Sequence, residues 1–296
     1  MSADLEAELV ALAAEHRAPS SALASRASII LQTAAAERPR ALPDIARRIV
    51  LAHPAMAAVI AVANVALRAQ EALGAASVPP ALAALRRGVE TDRHAAAQAL
   101  AAHLDEPVRV VTYSASANVV EALQVLRHQD LLLDVVCGES RPLLEGTALA
   151  RWLSCEGYDV LVATDVGLAD AFVEHTVLVV GADAILPEGV AHKRGTRLLA
   201  AWAGLTGAPR YVVATRDKLY PPELVPLFSI PLHPASEVVH DLPDGLRVEN
   251  LSLDLTPRAT WSAIWIGGQT LAEAEADGDH ALAHGLAPLL AEPPGR

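Results

Sequence analysis

The chain has 296 residues, 52% of them hydrophobic, with 35 acidic against 23 basic side chains and a formal charge of -12. This length predicts one large or two unequal domains with a sizeable core, and the acidic balance argues against a broad nucleic-acid footprint. Two cysteines, Cys137 and Cys155, are too few for a disulfide framework or a four-cysteine metal site, so no metal is expected and a reducing cytoplasm is the expected setting.

The stretch from Met1 to Glu15 is acidic, patterned as a helix and without the positive start and apolar core of a secretory signal. Alanine-rich segments with helical spacing continue to about residue 105, broken at Pro19, Pro43, Pro54 and Pro79-Pro80, which predicts four or five helices. The longest apolar run, Pro54 to Leu67, is bounded by His53 and Arg68 and falls short of the ~20 residues that cross a bilayer; it predicts a buried helix and no membrane partner.

At Val108 the pattern changes to short β-branched runs alternating with helical segments, as in strand-helix-strand units of a parallel sheet. Strands are predicted at Val108 to Thr112, Leu132 to Cys137, Val160 to Thr164, Val177 to Gly181, Tyr211 to Thr215 and Leu246 to Leu253, with helices between them. Beyond residue 254, the spacing of Trp261 and Trp265 predicts a packed or dimer-forming helical surface rather than a cofactor box, and the tail through Pro293-Pro294-Gly295 is expected to fray.

Ligands of open parallel sheets bind beyond the carboxyl ends of the strands. The loops there carry Tyr113-Ser114-Ala115-Ser116, Gly138-Glu139-Ser140-Arg141-Pro142, Thr164-Asp165, Asp183 and Thr215-Arg216-Asp217-Lys218. The apolar run ending at Val180 leads into Asp183, and His192-Lys193-Arg194-Gly195-Thr196 then opens a helix. That order suits a sugar phosphate: a helix start and a lysine hold an anion while an aspartate handles hydroxyls or protons. Lysine occurs only as Lys193 and Lys218, so Lys193 stands out.

Each candidate has a plainer alternative. Asp183 is a proton-transfer or ligand group, or else a helix cap or turn residue. Arg141 grips a phosphate through its planar fork, helped by amides at a helix start, or pairs with Glu139 or Glu145. Ser114 and Ser116 cap the helix Asn118 to His128 or meet an anion. Neither serine sits in a G-x-S-x-G turn, which argues against a hydrolase nucleophile. His280 and His284 lie four apart, a metal-ligand spacing that equally fits a surface helix.

These segments, in this order, resemble the family that joins the alpha, beta and delta regulatory subunits of translation initiation factor 2B with methylthioribose-1-phosphate isomerase and ribose-1,5-bisphosphate isomerase. The resemblance spans nearly the whole chain. It rests on Arg17-Ala18-Pro19-Ser20-Ser21-Ala22, His53-Pro54-Ala55-Met56-Ala57, Val111-Thr112-Tyr113-Ser114-Ala115-Ser116 and Glu139-Ser140-Arg141-Pro142 to Gly146. It continues through Val180-Gly181-Ala182-Asp183-Ala184-Ile185, Lys193-Arg194-Gly195-Thr196 and Asp254-Leu255-Thr256-Pro257.

The resemblance implies an α/β protein: an N-terminal helical domain over 1–105, and over 106–296 a Rossmann-like domain with a parallel sheet, through which it dimerises. A sugar phosphate is expected between them, with no cofactor. In the family's isomerases a cysteine and an aspartate exchange protons with an aldose 1-phosphate to give a ketose. Asp183 matches the aspartate, Arg141 and Lys193 match phosphate or sugar contacts, and Ser20, Ser21 and Ser116 are expected to join them.

Two departures stand out. Where a histidine and the cysteine are usual, this chain has Tyr113 and Ser114, and a hydroxyl releases its proton far less readily than a thiol. The usual asparagine before the lysine is His192, an imidazole expected to titrate near neutrality and to share in proton transfer or merely to fill space. Cys137, one strand away, is a further thiol to place. The expected function is an aldose-ketose isomerase acting on a phosphorylated pentose, with Asp183, Ser114 and His192 catalytic; the alternative is a non-catalytic, metabolite-sensing relative of the factor subunits.

Overall fold

The computed structural model describes residues 3–278 and 281–291. Five helices come first: α1 (Ala3–Ala13), α2 (Ser20–Glu37), α3 (Leu42–Ala52), α4 (Ala57–Leu73) and α5 (Val78–Ala102). The prolines fall at their starts, where a missing N–H costs nothing: Pro19 directly before α2, Pro43 second in α3, and Pro79 and Pro80 in the first turn of α5. The apolar run after Pro54 becomes α4, whose Val59, Ile60, Ala63 and Leu67 are buried at the centre of the bundle.

The main sheet contains β1 (Val108–Thr112), β2 (Leu132–Gly138), β3 (Val160–Ala163), β4 (Thr176–Val180), β7 (Arg210–Ala214), β9 (Ala263–Ile266) and β10 (Gln269–Thr270), in the order β10-β9-β7-β4-β1-β2-β3. All neighbours are parallel except β10 with β9. Helices α6 (Ala117–His128), α7 (Glu145–Cys155) and α8 (Thr196–Leu205) connect the strands, and α9 (Leu271–Asp277) and α10 (Pro288–Ala291) follow the sheet. From β1 the chain runs outward through β2 and β3, then returns to the other side of β1 for β4. The sheet direction therefore reverses at β1 and β4, which opens a crevice beyond their carboxyl ends.

A second, antiparallel sheet has the order β5-β6-β8, from β5 (Ala184–Leu186), β6 (Gly189–Lys193) and β8 (Leu253–Pro257). The sequence reading has no strand at β5 or β6, and it puts the strand of this region at 246–253. In the structure Leu246 and Arg247 are exposed, Asn250 is buried and turns its amide to Pro234 O and Glu237, and Leu251 makes only an isolated bridge to Leu232, so the strand itself begins at Leu253. The hairpin β5-β6 alternates its faces: Ala184, Leu186 and Ala191 pack on the helical bundle, while Ile185 and Val190 pack on the main-sheet core. It is thus a wall shared by the two halves. Helix α5 spans them too, with Leu82 in the bundle and Leu100 against the sheet.

Trp261 and Trp265 do not share a helix. Trp265 lies in β9, its ring edge-on to His103 at 5.5 Å, and Trp261 is buried in the sheet core just before that strand. The tail through Pro293-Pro294-Gly295 and His280 of the suggested metal spacing lie outside the described residues; His284 is exposed, with Nδ1 3.5 Å from Glu71 Oε2. Among the described residues no helix is long and apolar enough to cross a membrane, and no cluster of His, Cys, Asp and Glu suits a metal ion.

Candidate functional site

A cavity of about 150 Å³ opens where the carboxyl ends of β1, β4 and β7 meet the start of α2 and the hairpin wall. Ser20 and Ser21 at the start of α2, Ser114 and Ser116 after β1, Asp183 between β4 and β5, and His192 and Lys193 at the end of β6 all line it. So does Lys218, which brings both lysines of the chain to one hollow.

Arg141 is the candidate that stays outside the lining. Its side chain is exposed, and its amide and that of Ser140 donate to the Asp165 carboxylate at 2.8 and 2.7 Å. The amides expected to hold an anion in this loop thus already hold a carboxylate. The suggested partner Glu145 turns instead to Lys193, with 2.7 Å between Nζ and Oε1.

The Ser114 backbone is in the left-handed region, φ 69°, a conformation that non-glycine residues adopt at a cost. It is held there by its amide, which donates to Ser140 Oγ at 2.8 Å. The Ser114 hydroxyl donates to Glu145 Oε1 at 3.2 Å, so hydroxyl and ammonium share one oxygen. Oε2 of Glu145 is buried without a hydrogen-bond partner. Tyr113 is turned away, donating its hydroxyl to Arg194 O at 2.9 Å, and burial raises its pKa strongly.

Asp183 is fixed through its backbone, whose amide donates to Ala191 O at 2.9 Å and whose carbonyl accepts from Ala57 N at 3.1 Å. The carboxylate itself has no hydrogen-bond partner among the described residues and faces the cavity. Nearby, His192 is fully buried, and burial pushes its pKa down from 6.5 to about 4, against a pull upward by Asp183. It does not titrate near neutrality, in contrast to the expectation from the free imidazole. Its Nδ1 lies 2.9 Å from Thr196 Oγ1, whose own proton goes to Lys193 O at 2.7 Å. The hydroxyl must therefore accept from Nδ1–H, which leaves Nε2 as a lone pair. Gly181 makes room here: a Cβ at this position would run into Ser116 Oγ.

Lys218 is 5% exposed and donates to Ser20 Oγ at 2.6 Å, with no carboxylate partner among the described residues. At the start of α2, Ala22 N and Leu23 N donate to Pro19 O at 2.9 and 3.1 Å, while Ser20 and Ser21, whose amides have no such acceptor among the described residues, line the cavity. Lys218 and these two residues offer positive charge and donors. The long connection between β7 and β8, which carries Lys218, also contributes His233 and Ser252 to the lining. Its buried Glu237 accepts from His16 Nε2 at 3.1 Å, Arg17 Nε at 3.2 Å and Asn250 Nδ2 at 2.9 Å. Burial alone would raise the Glu237 carboxyl, but those hydrogen bonds outweigh it and hold it below the usual range.

Glu145, Lys218 and Glu237 were not among the sequence candidates. The scarcity of lysine already set Lys218 apart, and Glu145 could be read as the first carboxylate of a helix opening beside a strand end. Nothing in the sequence marks Glu237. Cys137 is fully buried in the core between the sheet and α6, with its thiol pushed up to about 12 by burial, and it lies outside the cavity lining.

The sequence profile of the initiation factor 2 subunit family matches residues 14–264. The chain belongs to the initiation factor 2 subunit family. The eIF-2B subunit 2-like protein of Pyrococcus horikoshii is 32% identical over 179 residues, 60% of this chain and 62% of that protein. The methylthioribose-1-phosphate isomerase of Gemmatimonas aurantiaca is 32% identical over 197 residues, 60% of this chain and 57% of the enzyme. Each match spans less than two thirds of the relative. The crystal structure of translation initiation factor eIF-2B from Pyrococcus horikoshii superposes with a TM-score of 0.77 at 24% identity, covering 91% of this chain and 97% of that one. At that identity the likeness is one of fold, and it bears out the helical region joined to a mostly parallel sheet. The family thus includes both named isomerases and eIF-2B-like proteins.

Proposed function

We propose that this protein binds a phosphorylated sugar in the cavity and acts on it as an aldose-ketose isomerase. The observation that carries this reading is the Asp183 carboxylate, free of hydrogen bonds, in one hollow with the ammonium groups of Lys193 and Lys218. The phosphate sits against Lys218, Ser20, Ser21 and the start of α2, where charge and open amides coincide. Lys193 and the Nε2 lone pair of His192 meet sugar oxygens.

Isomerisation of an aldose 1-phosphate needs two groups. One removes the proton from C2 while the other protonates the ring oxygen; the first then delivers its proton to C1 as the second takes the proton of O2. Asp183 is one of them and Ser114, backed by Glu145, the other. Proton NMR in deuterium oxide tests this with ribose 1-phosphate and methylthioribose 1-phosphate. Ketose formation or deuterium at carbon 1 or 2 is expected, and both should vanish in Asp183→Asn. Activity that persists in that variant removes Asp183 from its role.

A second reading, a metabolite sensor without turnover, is favoured by one observation. The position expected to hold a thiol carries the Ser114 hydroxyl, and Cys137 is shut in the core. Binding by calorimetry with no exchange for any of these sugars would decide for the sensor. In either reading the assembly proposed is a homodimer through the C-terminal half. The free edge strand β3 exposes Leu161 and Val162 beside the exposed Trp152 of α7, a pattern that a second copy would cover.

A further inference from the structure

We infer that Glu145 fits the cavity to a sugar carrying one phosphate and sets it against a bisphosphate; the inference rests on the sugar-phosphate reading above. The Lys193 side chain is 8% exposed, and its ammonium is already matched by Glu145 Oε1 at 2.7 Å. That oxygen also takes the Ser114 hydroxyl, and Oε2 has no partner. A phosphate brought to Lys193 would place two anions on one cation. Parting the pair instead would leave the Glu145 carboxylate partly buried, charged and unpaired, which is the costly way to break such a bridge.

Two other cations of the lining differ: Lys218 is held by a neutral hydroxyl and Arg93 by the neutral side chain of Asn118 at 3.3 Å, and neither has a carboxylate partner among the described residues. A single phosphate is met there, together with the start of α2. A second phosphate brought to Lys193 would lie close to Glu145, and like charges set side by side in a sheltered site oppose binding. Arg17 does not relieve this, because Glu237 already engages it.

Calorimetric titration of the wild-type chain and of Glu145→Gln with ribose 1-phosphate and ribose 1,5-bisphosphate tests the inference. The wild-type chain should bind the monophosphate more tightly of the two. Glutamine keeps the shape and an acceptor for Ser114 but removes the charge, so Glu145→Gln should raise the affinity for the bisphosphate relative to that for the monophosphate by about tenfold. A wild-type preference for the bisphosphate overturns the inference without any variant. So does a Glu145→Gln protein in which both affinities change by the same factor. If neither protein binds either sugar, the sugar-phosphate reading falls as well; binding of both with an unchanged ratio removes only the present inference.

Discussion

Glu145 at the start of α7 and Lys193 at the end of β6 meet at 2.7 Å across the cavity, and the Ser114 hydroxyl joins them on the same carboxylate oxygen. Three elements far apart in sequence are thereby tied at the one place where a thiol was expected. The triad offers a hydroxyl with a proton acceptor behind it and a cation alongside.

Replacing that hydroxyl by a thiol is a direct test of how much it limits turnover. Ser114→Cys puts beside Glu145 a thiol, which gives up its proton far more readily than a hydroxyl. Isomerisation of ribose 1-phosphate should then rise by about 10-fold or more, within the usual range for a well-placed acid or base. Equal rates in the two proteins would mean that proton transfer at position 114 is not limiting.

Gly181 governs the floor of the site. A Cβ there collides with Ser116 Oγ and crowds Ser116 Cβ, so Gly181→Ala must push the serine out of the lining or shift the strand end. Overpacking of this kind costs about 1–3 kcal/mol. Urea unfolding should show that loss, and calorimetry should show weaker sugar-phosphate binding. Unchanged affinity would show that Ser116 is not needed by the ligand.

The sheet was legible where β-branched runs are bounded by turns: β1, β2, β3, β4 and β7 lie within a residue of their expected limits at each end. The hairpin was not, because Ala184-Ile185-Leu186 is very short and Pro187-Glu188-Gly189 reads as open loop; its pairing is decided by two cores that cover opposite faces. In the site, Asp183 and Lys193 stand out as polar groups at ends of apolar runs. Arg141 carried the same signal, yet Asp165, from another loop, claims the amides around it. Such competition between loops is invisible to spacing within one loop; it explains why Glu145 was weighed only as a partner for Arg141 and why Glu237 escaped notice.

The exposed edge of the sheet gives a test of assembly. Leu161 is 59% exposed on β3 and contributes little to the fold of a single copy. Leu161→Glu should therefore leave the melting temperature of the isolated chain nearly unchanged while shifting sedimentation velocity from dimer to monomer, since a charge on a covered edge opposes pairing. A dimer that survives the substitution uses another face.

His192 gives the stability of the protein a pH dependence of known sign. Its folded pKa, about 4, lies below the unfolded value of 6.5, so between those values the unfolded chain binds the proton and the folded one does not. The stabilisation associated with a neutral His192 is therefore complete above 6.5 and is lost progressively as pH falls toward 4, by about 3 kcal/mol in all. His192→Asn keeps a donor for Thr196 but cannot be protonated. Urea unfolding at pH 7 and pH 4.5 should show a clear fall for the wild-type chain and a smaller one for the variant. His53 and His233, whose pKa values burial also lowers, add loss in the same direction over the same interval, and Glu237 only as pH drops through its lowered carboxylate range, so the share of His192 is the difference between the slopes of the two proteins from 6.5 to 5. Parallel slopes for the two proteins over that interval would show that folding does not lower the His192 pKa, and its Nε2 would then take a proton in the folded chain as readily as in the unfolded one.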